Sequence, residues 1–368
     1  MEHTHNSARL VVGCMTGTSI DCIDIALVQI EGNGLRMKSS ILRTSSRSLS
    51  GLAEPLRRLS LQQSMTAGEI TRLASELGAL HFELIKEITI DQQIDLIAVH
   101  GQTVFHAPPL SWQLINPSLI AYNLGIPVVY DLRTADLALG GQGAPITPLA
   151  DFIMFRSPEE RRTVVNLGGF CNITQLPACP NMELDRFVSQ IRGSDVCVCN
   201  QLLDAIAREL LGKPCDENGD EAMRGAIQEE PYIRLIELLQ NQSQEARSLG
   251  TGDELNDWLA AYRNSHSKCD LARTACGTIA QTIVSACSDA DRLILAGGGV
   301  HNRALVQEIM AKSGNPVDMS DSYGVPAQYR EAAAMAVLGA ICRDRVPITL
   351  PQVTGVKTPP VSGCWVLP

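Results

Sequence analysis

One segment near the start of the chain recurs in outline near its middle, and this recurrence limits the fold more than any other feature. Arg9-Leu-Val-Val-Gly-Cys-Met-Thr-Gly-Thr-Ser-Ile-Asp-Cys-Ile-Asp-Ile-Ala-Leu-Val-Gln-Ile reads as a strand, a turn rich in Gly and hydroxyls, and a second strand, closed by Gly32-Asn-Gly. Arg162-Thr-Val-Val-Asn-Leu-Gly-Gly-Phe-Cys-Asn-Ile-Thr-Gln-Leu follows the same plan, and matching Val11 with Val164 sets the two copies 153 residues apart. That interval agrees with a chain of 368 residues divided at about 150 residues per domain. The expectation is two related α/β halves.

The segments between these hairpins alternate in period. Leu52, Leu56 and Leu59, then Ile70, Leu73, Leu77, Leu80 and Leu84, recur at helical spacing. Ile94-Asp-Leu-Ile-Ala-Val-His-Gly-Gln-Thr and Pro127-Val-Val-Tyr-Asp-Leu-Arg read as buried strands ending in polar residues, which is where open α/β sheets collect ligands. Gly140-Gly-Gln-Gly-Ala-Pro-Ile-Thr-Pro is dense enough in turn residues to mark a domain junction. Further on, Asn200 to Leu211 reads as a short helix, residues 221 to 287 as helical with a polar interruption near 241 to 253, and Leu293-Ile-Leu-Ala as a strand entering a triple-Gly loop. A helix opens at about Arg303, and the Ala-rich run from Glu331 reads as a close-packing helix.

Composition excludes several classes of function. A formal net charge of −10, with no concentrated basic run, argues against nucleic acid or an anionic membrane as partner. The apolar runs 293 to 300 and 332 to 342 fall short of the ~20 residues of a spanning helix, and Met1-Glu-His-Thr-His-Asn lacks the basic and apolar regions of a signal peptide. The expected location is the cytoplasm. Twelve cysteines contain no Cys-x-x-Cys pair and form no ligand ladder with the seven histidines, so free thiols are expected rather than disulfides or zinc.

Three Gly-rich turns carry the chemistry. Gly17-Thr-Ser-Ile-Asp-Cys-Ile-Asp offers backbone amides, the hydroxyls of Thr18 and Ser19, and the carboxylates of Asp21 and Asp24. Such a loop can hold phosphate oxygens while its carboxylates position Mg²⁺ or its waters. Gly168 and Gly169 supply a second turn, and Gly297, Gly298 and Gly299 a third, where a ligand can approach backbone without obstruction by Cβ. Together they suggest a nucleotide held in a cleft between the halves, the alternative being tight turns needed only for packing. His100-Gly-Gln102-Thr, Asp131-Leu-Arg133-Thr-Ala-Asp136 and Gly141-Gln-Gly-Ala-Pro gather polar groups suited to a hydroxyl-rich ligand, and Arg133 suits a phosphate or carboxylate. His100 is given no proton-transfer role. Gly193-Ser-Asp-Val-Cys-Val-Cys-Asn places Asp195 before a helix, where capping is the alternative task.

In order and wording these segments resemble the anhydro-N-acetylmuramic acid kinases, a sugar-kinase branch of the actin, hexokinase and Hsp70 superfamily. The resemblance rests on Met15-Thr-Gly-Thr-Ser-Ile-Asp-Cys-Ile-Asp, His100-Gly-Gln-Thr-Val, Asp131-Leu-Arg-Thr-Ala-Asp, Gly140-Gly-Gln-Gly-Ala-Pro, Asn166-Leu-Gly-Gly, Gly193-Ser-Asp, Gly297-Gly-Gly-Val-His-Asn and Glu331-Ala, spanning residues 10 to about 342. It implies two RNase-H-like domains: 9–136 completed by 345–368, and 137–344. It also implies ATP and Mg²⁺, a small-molecule anhydro-sugar substrate, a homodimer, and a place in cell-wall amino-sugar recycling. In the reaction so implied, Asp195 activates a water that attacks the anomeric carbon of a 1,6-anhydro sugar, and the departing O6 takes the γ-phosphoryl group. Gly17, Thr18, Ser19, Asp21, Asp24, Gly168, Gly169 and Gly297 to Gly299 would serve the nucleotide, with Asp21 and Asp24 on Mg²⁺, directly or through water. Gln102, Arg133, Asp136, Asn200 and Glu331 would serve the sugar.

Two positions depart from the family pattern. Gly-Phe-Asp-Thr-Gly-Pro-Gly-Asn is replaced by residues 193 to 200, keeping Asp195 and Asn200, and Cys22 stands where the family has Gly. Two other readings follow: a non-catalytic ATP- or sugar-binding relative, and a glycoside hydrolase using Asp195 with a second carboxylate.

Overall fold

Alternation along the first strand decides how the first sheet is covered. In the computed structural model, which describes residues 8–180, 184–244 and 253–368, Val12 and Cys14 join the apolar core beneath the helices Ala53–Ser60 and Ala67–Ile88. Gly13, on the opposite face, meets the Ala-rich helix Arg330–Arg343. In chain order the strands are β1 (Arg9–Thr16), β2 (Cys22–Glu31), β3 (Lys38–Ser48), β4 (Leu96–Ala107), β5 (Leu110–Leu114), β6 (Val128–Tyr130), β7 (Arg162–Leu167), β8 (Phe170–Leu176), β9 (Arg192–Val198), β10 (Arg292–Ala296), β11 (Val317–Met319) and β12 (Cys364–Val366).

The first sheet runs β12-β6-β4-β1-β2-β3, with β5 hairpinned onto β4. Strand β2 lies between β1 and β3 and antiparallel to each, and β4 lies parallel to both β1 and β6. The second sheet runs β11-β10-β7-β8-β9, with β7 antiparallel to β8 and β10 parallel to both β7 and β11. With β5 and β12 set aside, the two sheets have one order, β3-β2-β1-β4-β6 and β9-β8-β7-β10-β11. The recurrence seen in the sequence is thus a repeated RNase-H-like sheet, and the expected α/β class holds.

Local chemistry explains the elements. Thr66 caps the helix Ala67–Ile88 through its side chain to Glu69 N (3.2 Å), while Glu69 Oε2 accepts from Thr66 N (2.7 Å), a reciprocal cap that satisfies two otherwise orphaned donors. Asn302 does similar work for the helix Arg303–Lys312, accepting from Leu305 N at 3.0 Å. Strands β3 and β5 go beyond the elements expected from periodicity. Lys-Ser-Ser-Ile-Leu-Arg-Thr-Ser-Ser-Arg-Ser is polar on both faces of β3, so the period of two that identifies a half-buried strand is missing.

The division into units also differs from the expected boundaries. Among the described residues, the first unit takes those up to Pro158, Cys179–Arg192 and Tyr323–Pro368, and the second takes Glu159–Ala178 and Gly193–Ser322. Residues 137–158 and 323–344, expected in the second domain, belong to the first, and Gly140 to Pro148 is no junction. The reason is contact. A Cβ added at Gly13 would meet Ala332 O at 2.0 Å and Ala336 N at 2.4 Å, and one at Gly339 would meet the Ala98 Cβ at 2.5 Å, so Arg330–Arg343 sits directly on β1 and β4. Arg330, 1% exposed, is ion-paired with Asp151 of the helix Pro148–Phe155 and donates to Thr147 Oγ1 at 3.3 Å. At the other end of the Ala-rich helix, Asp344 accepts from Arg9 Nη1 (2.5 Å), Arg9 Nη2 (3.0 Å) and Gly34 N (2.8 Å).

The second unit packs its sheet on the helices Lys268–Ala286 and Arg303–Lys312, with Leu271, Ala275, Ile279 and Ile283 facing Val165, Leu293 and Leu295 within one core. The helix read over Asn200 to Leu211 is α-helical to Ile206 and then widens by one π turn. The expected interruption near 241 to 253 falls largely on 245–252, outside the described residues.

Two tests follow. Gly13→Val drives a side chain into helix backbone, which cannot yield as a side-chain tip can, and is expected to cost at least about 1–3 kcal/mol; urea unfolding measures it, and an unchanged midpoint refutes the direct helix–strand contact. His81 lies fully buried in Ala67–Ile88, its Nδ1 2.8 Å from Leu77 O. Burial pushes its pKa down to about 4 from 6.5, against the opposing Leu77 bond. The unfolded chain therefore takes the proton first, so this stabilisation is complete above the unfolded value and fades as pH falls from 6.5 toward 4. His81→Leu should flatten the loss of stability over that window in urea titrations.

Candidate functional site

In the first unit, the turn between β1 and β2 is built to leave its polar tip free. Ile20 is buried and closes the turn through Ile20 N to Gly17 O (3.2 Å), while Thr18, Ser19 and Asp21 are exposed. Arg57 Nη2 donates to Ser19 O (3.3 Å) and Ile20 O (3.1 Å), fixing the loop from below. Gln102 Nε2 donates to Gly17 O at 3.2 Å, bringing this expected sugar residue against the expected phosphate loop. Its Oε1 is buried without a partner, as is Oγ1 of its cross-strand neighbour Thr16.

Asp21 accepts from Ser19 Oγ (2.7 Å) and Cys22 N (2.8 Å), both at Oδ1. Asp24 accepts from Gln328 Nε2 (3.0 Å) at Oδ1, with Cys22 Sγ 3.6 Å from its Oδ2. Burial raises the pKa of Asp24 against these hydrogen bonds. Burial first, then the charge of Asp24, pushes the Cys22 thiol up to about 12. That keeps the Cys22 thiol protonated beside Asp24.

Glu331 opens the Ala-rich helix, and Arg133 precedes a short helix, Thr134–Ala138. Burial raises the Glu331 pKa, Arg330 opposes it, and Asp151, Arg133 and Asp24 also act on it. The fold thereby brings Glu331 within electrostatic reach of both Asp24 and Arg133. Arg133 Nη1 donates to Gly143 O (2.8 Å), and its Nε and Nη2 lie 3.2 and 2.9 Å from His100 Nε2. Asp136 departs from expectation. It is 0% exposed, and its oxygens accept from Thr354 Oγ1 (2.9 Å) and Gly143 N (2.8 Å), so it braces the 141–143 turn instead of facing a ligand.

In the second unit, the two Gly turns lie side by side. Gly297 has φ +86, and a Cβ there would meet Asn166 Oδ1 at 2.7 Å and Leu167 O at 2.9 Å; at Gly299 it would meet Leu167 Cβ at 2.7 Å. Only residues without side chains fit so close to β7. Gly298 is exposed, and a Cβ added there would meet nothing within 4 Å, which leaves its backbone open to a ligand. Asn200 ties the set together: its Nδ2 donates to Leu167 O (3.0 Å) and its N to Gly168 O (3.1 Å). Cys199 N and Gln201 N donate to Gly169 O at 2.9 and 3.2 Å. Asn166 Oδ1 is buried and unpartnered beside these turns.

Asp195 stands on β9, not at a helix start. The following helix, Asn200–Ile206, is capped at Cys199 without a side-chain bond. Capping is therefore not its task. The residue is exposed, yet the surrounding chain partly desolvates its carboxylate and raises its pKa. Val196, Cys197 and Cys199 point into the core of the unit, so the altered segment continues a strand whose side chains serve packing.

Among the described residues, no group of three or more His, Cys, Asp or Glu is placed to bind a metal ion directly. Asp21, with Oδ2 uncommitted, and Asp24 suit a cation that keeps most of its waters, as Mg²⁺ does. The structure also supplies residues that sequence pattern alone does not assign to the site: Gln328 on Asp24, Asn166 beside the Gly turns, and His100 on Arg133. Asn166 carries a signal, an Asn closing a strand just before Gly-Gly; Gln328 carries none.

The family model for anhydro-N-acetylmuramic acid kinase matches residues 9–367. The chain belongs to this family. An anhydro-N-acetylmuramic acid kinase of Salinibacter ruber is 33% identical, with 98% of this chain and 97% of that protein covered. One from Bacillus cereus is 29% identical over 96% of this chain and 98% of its own length. Membership makes the chain a phosphotransferase. Among solved structures, the chain is similar to the activator of the 2-hydroxyisocaproyl-CoA dehydratase from Clostridium difficile with bound ADPNP (11% identity, 90% of this chain and 94% of that one, TM-score 0.46). It is also similar to a ROK family glucokinase from Streptomyces griseus in complex with glucose and AMPPNP (14% identity, 90% and 99%, TM-score 0.40).

Proposed function

We propose that this kinase opens the anhydro ring of 1,6-anhydro-N-acetylmuramic acid, or a close relative, with water and phosphorylates O6 at the expense of ATP. The observation that carries the reading is Asp195: in a chain of this family, a carboxylate held on a strand, exposed, free of capping duty and raised in pKa is fitted to take a proton. In the proposed reaction Asp195 holds a water and accepts its proton as the water oxygen bonds to the anomeric carbon. The bond from that carbon to O6 breaks, and O6 takes up the phosphoryl group that ATP supplies. The Gly17 to Asp21 tip and the Gly168-Gly169 turn would hold phosphate oxygens, Asp21 and Asp24 would position Mg²⁺ through its waters, and the open backbone at Gly298 would receive the adenosine. Gln102, Arg133, Asn200 and Glu331 would serve the sugar and the transferring group. A role in cell-wall amino-sugar recycling, a cytoplasmic location and a homodimer belong to the same reading. A binding protein without turnover is the weaker one, because the family model and the relatives that the chain matches are those of kinases.

Asp195→Asn preserves shape and removes basicity. Turnover should fall by ~10²–10⁴, with ATP affinity and melting temperature retained; full turnover in coupled ADP-release assays defeats the assignment. Because the carboxylate must be ionised to act and its pKa is raised, the acid limb of the wild-type profile should lie above the ordinary Asp value and disappear in this variant. Asp21→Asn should give the opposite split, weakening Mg²⁺-ATP binding in calorimetry.

A further inference from the structure

His100 lies within the buried part of β4 and is 4% exposed. Its Nδ1 lies 2.8 Å from Gly101 O, a carbonyl, which accepts only; Nδ1 therefore carries the proton. Nε2 is left as an acceptor, and the partner it finds is Arg133, whose Nε and Nη2 approach it at 3.2 and 2.9 Å. Guanidinium has five N–H groups. One on Nε and one on Nη2 go to His100, and one on Nη1 goes to Gly143 O. One N–H on each Nη remains, with no partner among the described residues. Two such N–H groups in one plane are the fork that matches a pair of oxyanion oxygens.

We propose that His100 is a positioning residue: it holds Arg133 so that this free fork faces an anionic group of the ligand, either a sugar carboxylate or a transferring phosphoryl group. The proposal rests on the kinase reading for the identity of the ligand, and on the hydrogen bonds alone for the pairing. The arrangement works only with neutral imidazole, since a ring protonated on both nitrogens has nothing with which to accept. The surroundings enforce this. Burial, then the charge of Arg133, pushes the His100 pKa down to about 3, with the Gly101 bond opposing and His106 adding a small like-charge push. His106 is itself exposed, with Nδ1 2.9 Å from Ser111 Oγ. Arg133 keeps its charge although burial lowers its pKa to about 10, because Glu331 favours the cation.

Nitrogen-detected NMR of the wild-type protein should show His100 as the Nδ1–H tautomer from about pH 5 to about pH 8. A ring that titrates in that range, or carries its proton on Nε2, overturns the pairing whether or not sugar is turned over. Kinetics then tests the role. His100→Leu removes the acceptor, whereas His100→Gln can return an amide oxygen to the place of Nε2. With 1,6-anhydro-N-acetylmuramic acid and its analogue lacking the lactyl carboxylate as substrates, His100→Leu should raise KM or lower kcat by about tenfold to a hundredfold, and His100→Gln should recover most of it. A KM effect confined to the carboxylated sugar assigns the fork to the carboxylate. A kcat or ATP effect shared by both sugars assigns it to the phosphoryl group. In an Arg133→Ala background the His100 substitutions should have no further effect; a full additional loss there, or equal loss in His100→Leu and His100→Gln with native melting temperatures, overturns the proposal. Should His100→Leu not fold, the wild-type tautomer and the His100→Gln kinetics still decide. A wild-type enzyme that phosphorylates neither sugar defeats the kinase reading and leaves the NMR result to judge the pairing.

Discussion

Backbone against backbone is the contact on which the first unit depends. The helix Arg330–Arg343 approaches β1 so closely that no side chain fits at Gly13, and Ala332 and Ala336 complete the seam. Small residues on both sides let the helix cover β1, β2 and β4 at short range, where dispersion contacts are dense. This seat has consequences at both helix ends. At one, Arg330 is carried into a buried ion pair with Asp151 and Glu331 is carried to Arg133 and Asp24. At the other, Asp344 gathers Arg9 and the Gly34 amide. Removing one partner of the buried pair strands a charge that burial makes costly, so the position of Glu331, the next residue, is fixed by that pair.

The polar residues of the candidate sites obey one economy of placement. They follow the ends of parallel strands, where backbone groups leave the ladder and side chains become free to point outward. In the first unit this applies to Gly17 to Asp21 after β1 and to Gln102 in β4; in the second, to Gly168 after β7 and Gly297 after β10. Residues one layer behind do the holding: Arg57 under the β1–β2 turn, Asn200 under the Gly turns, His100 under Arg133. The burial that fixes them also sets their protonation, since desolvation keeps His100 neutral and raises Asp24 and Glu331.

Much of this is legible in the sequence, for physical reasons that also explain the failures. Hairpins with alternating apolar residues and Gly at the turn announce themselves locally, and the two copies, with the strands before Gly101 and Gly297, appear where expected. Strand β3 carries no such pattern because its residues are polar on both faces. The contacts divide the chain elsewhere than expected, since Gly140 to Pro148 has the composition of a linker while its carbonyls and amides are spent on Arg133, Asp136 and Thr354. Asp136 looks like a ligand residue for the same reason that Asp195 does, a carboxylate in a Gly-rich setting; only burial separates them. Pairings such as Arg330 with Asp151 or Gln328 with Asp24 span 179 and 304 residues, a separation at which local pattern carries no information.

The first unit is written in the gene as a frame around the second, and its covering helix comes near the end. During synthesis, the face of the first sheet bearing Val11, Gly13, Ala26 and Ala98 stands without its lid until Arg330–Arg343 has left the ribosome. The second unit, whose final residues precede Tyr323, is by then complete. Domains fold as units as they emerge, so the order of completion here is inverted relative to the order of the first strands. A nascent chain paused or truncated before residue 343 therefore displays a bare apolar sheet, a surface that chaperones and proteases recognise, beside a finished second unit.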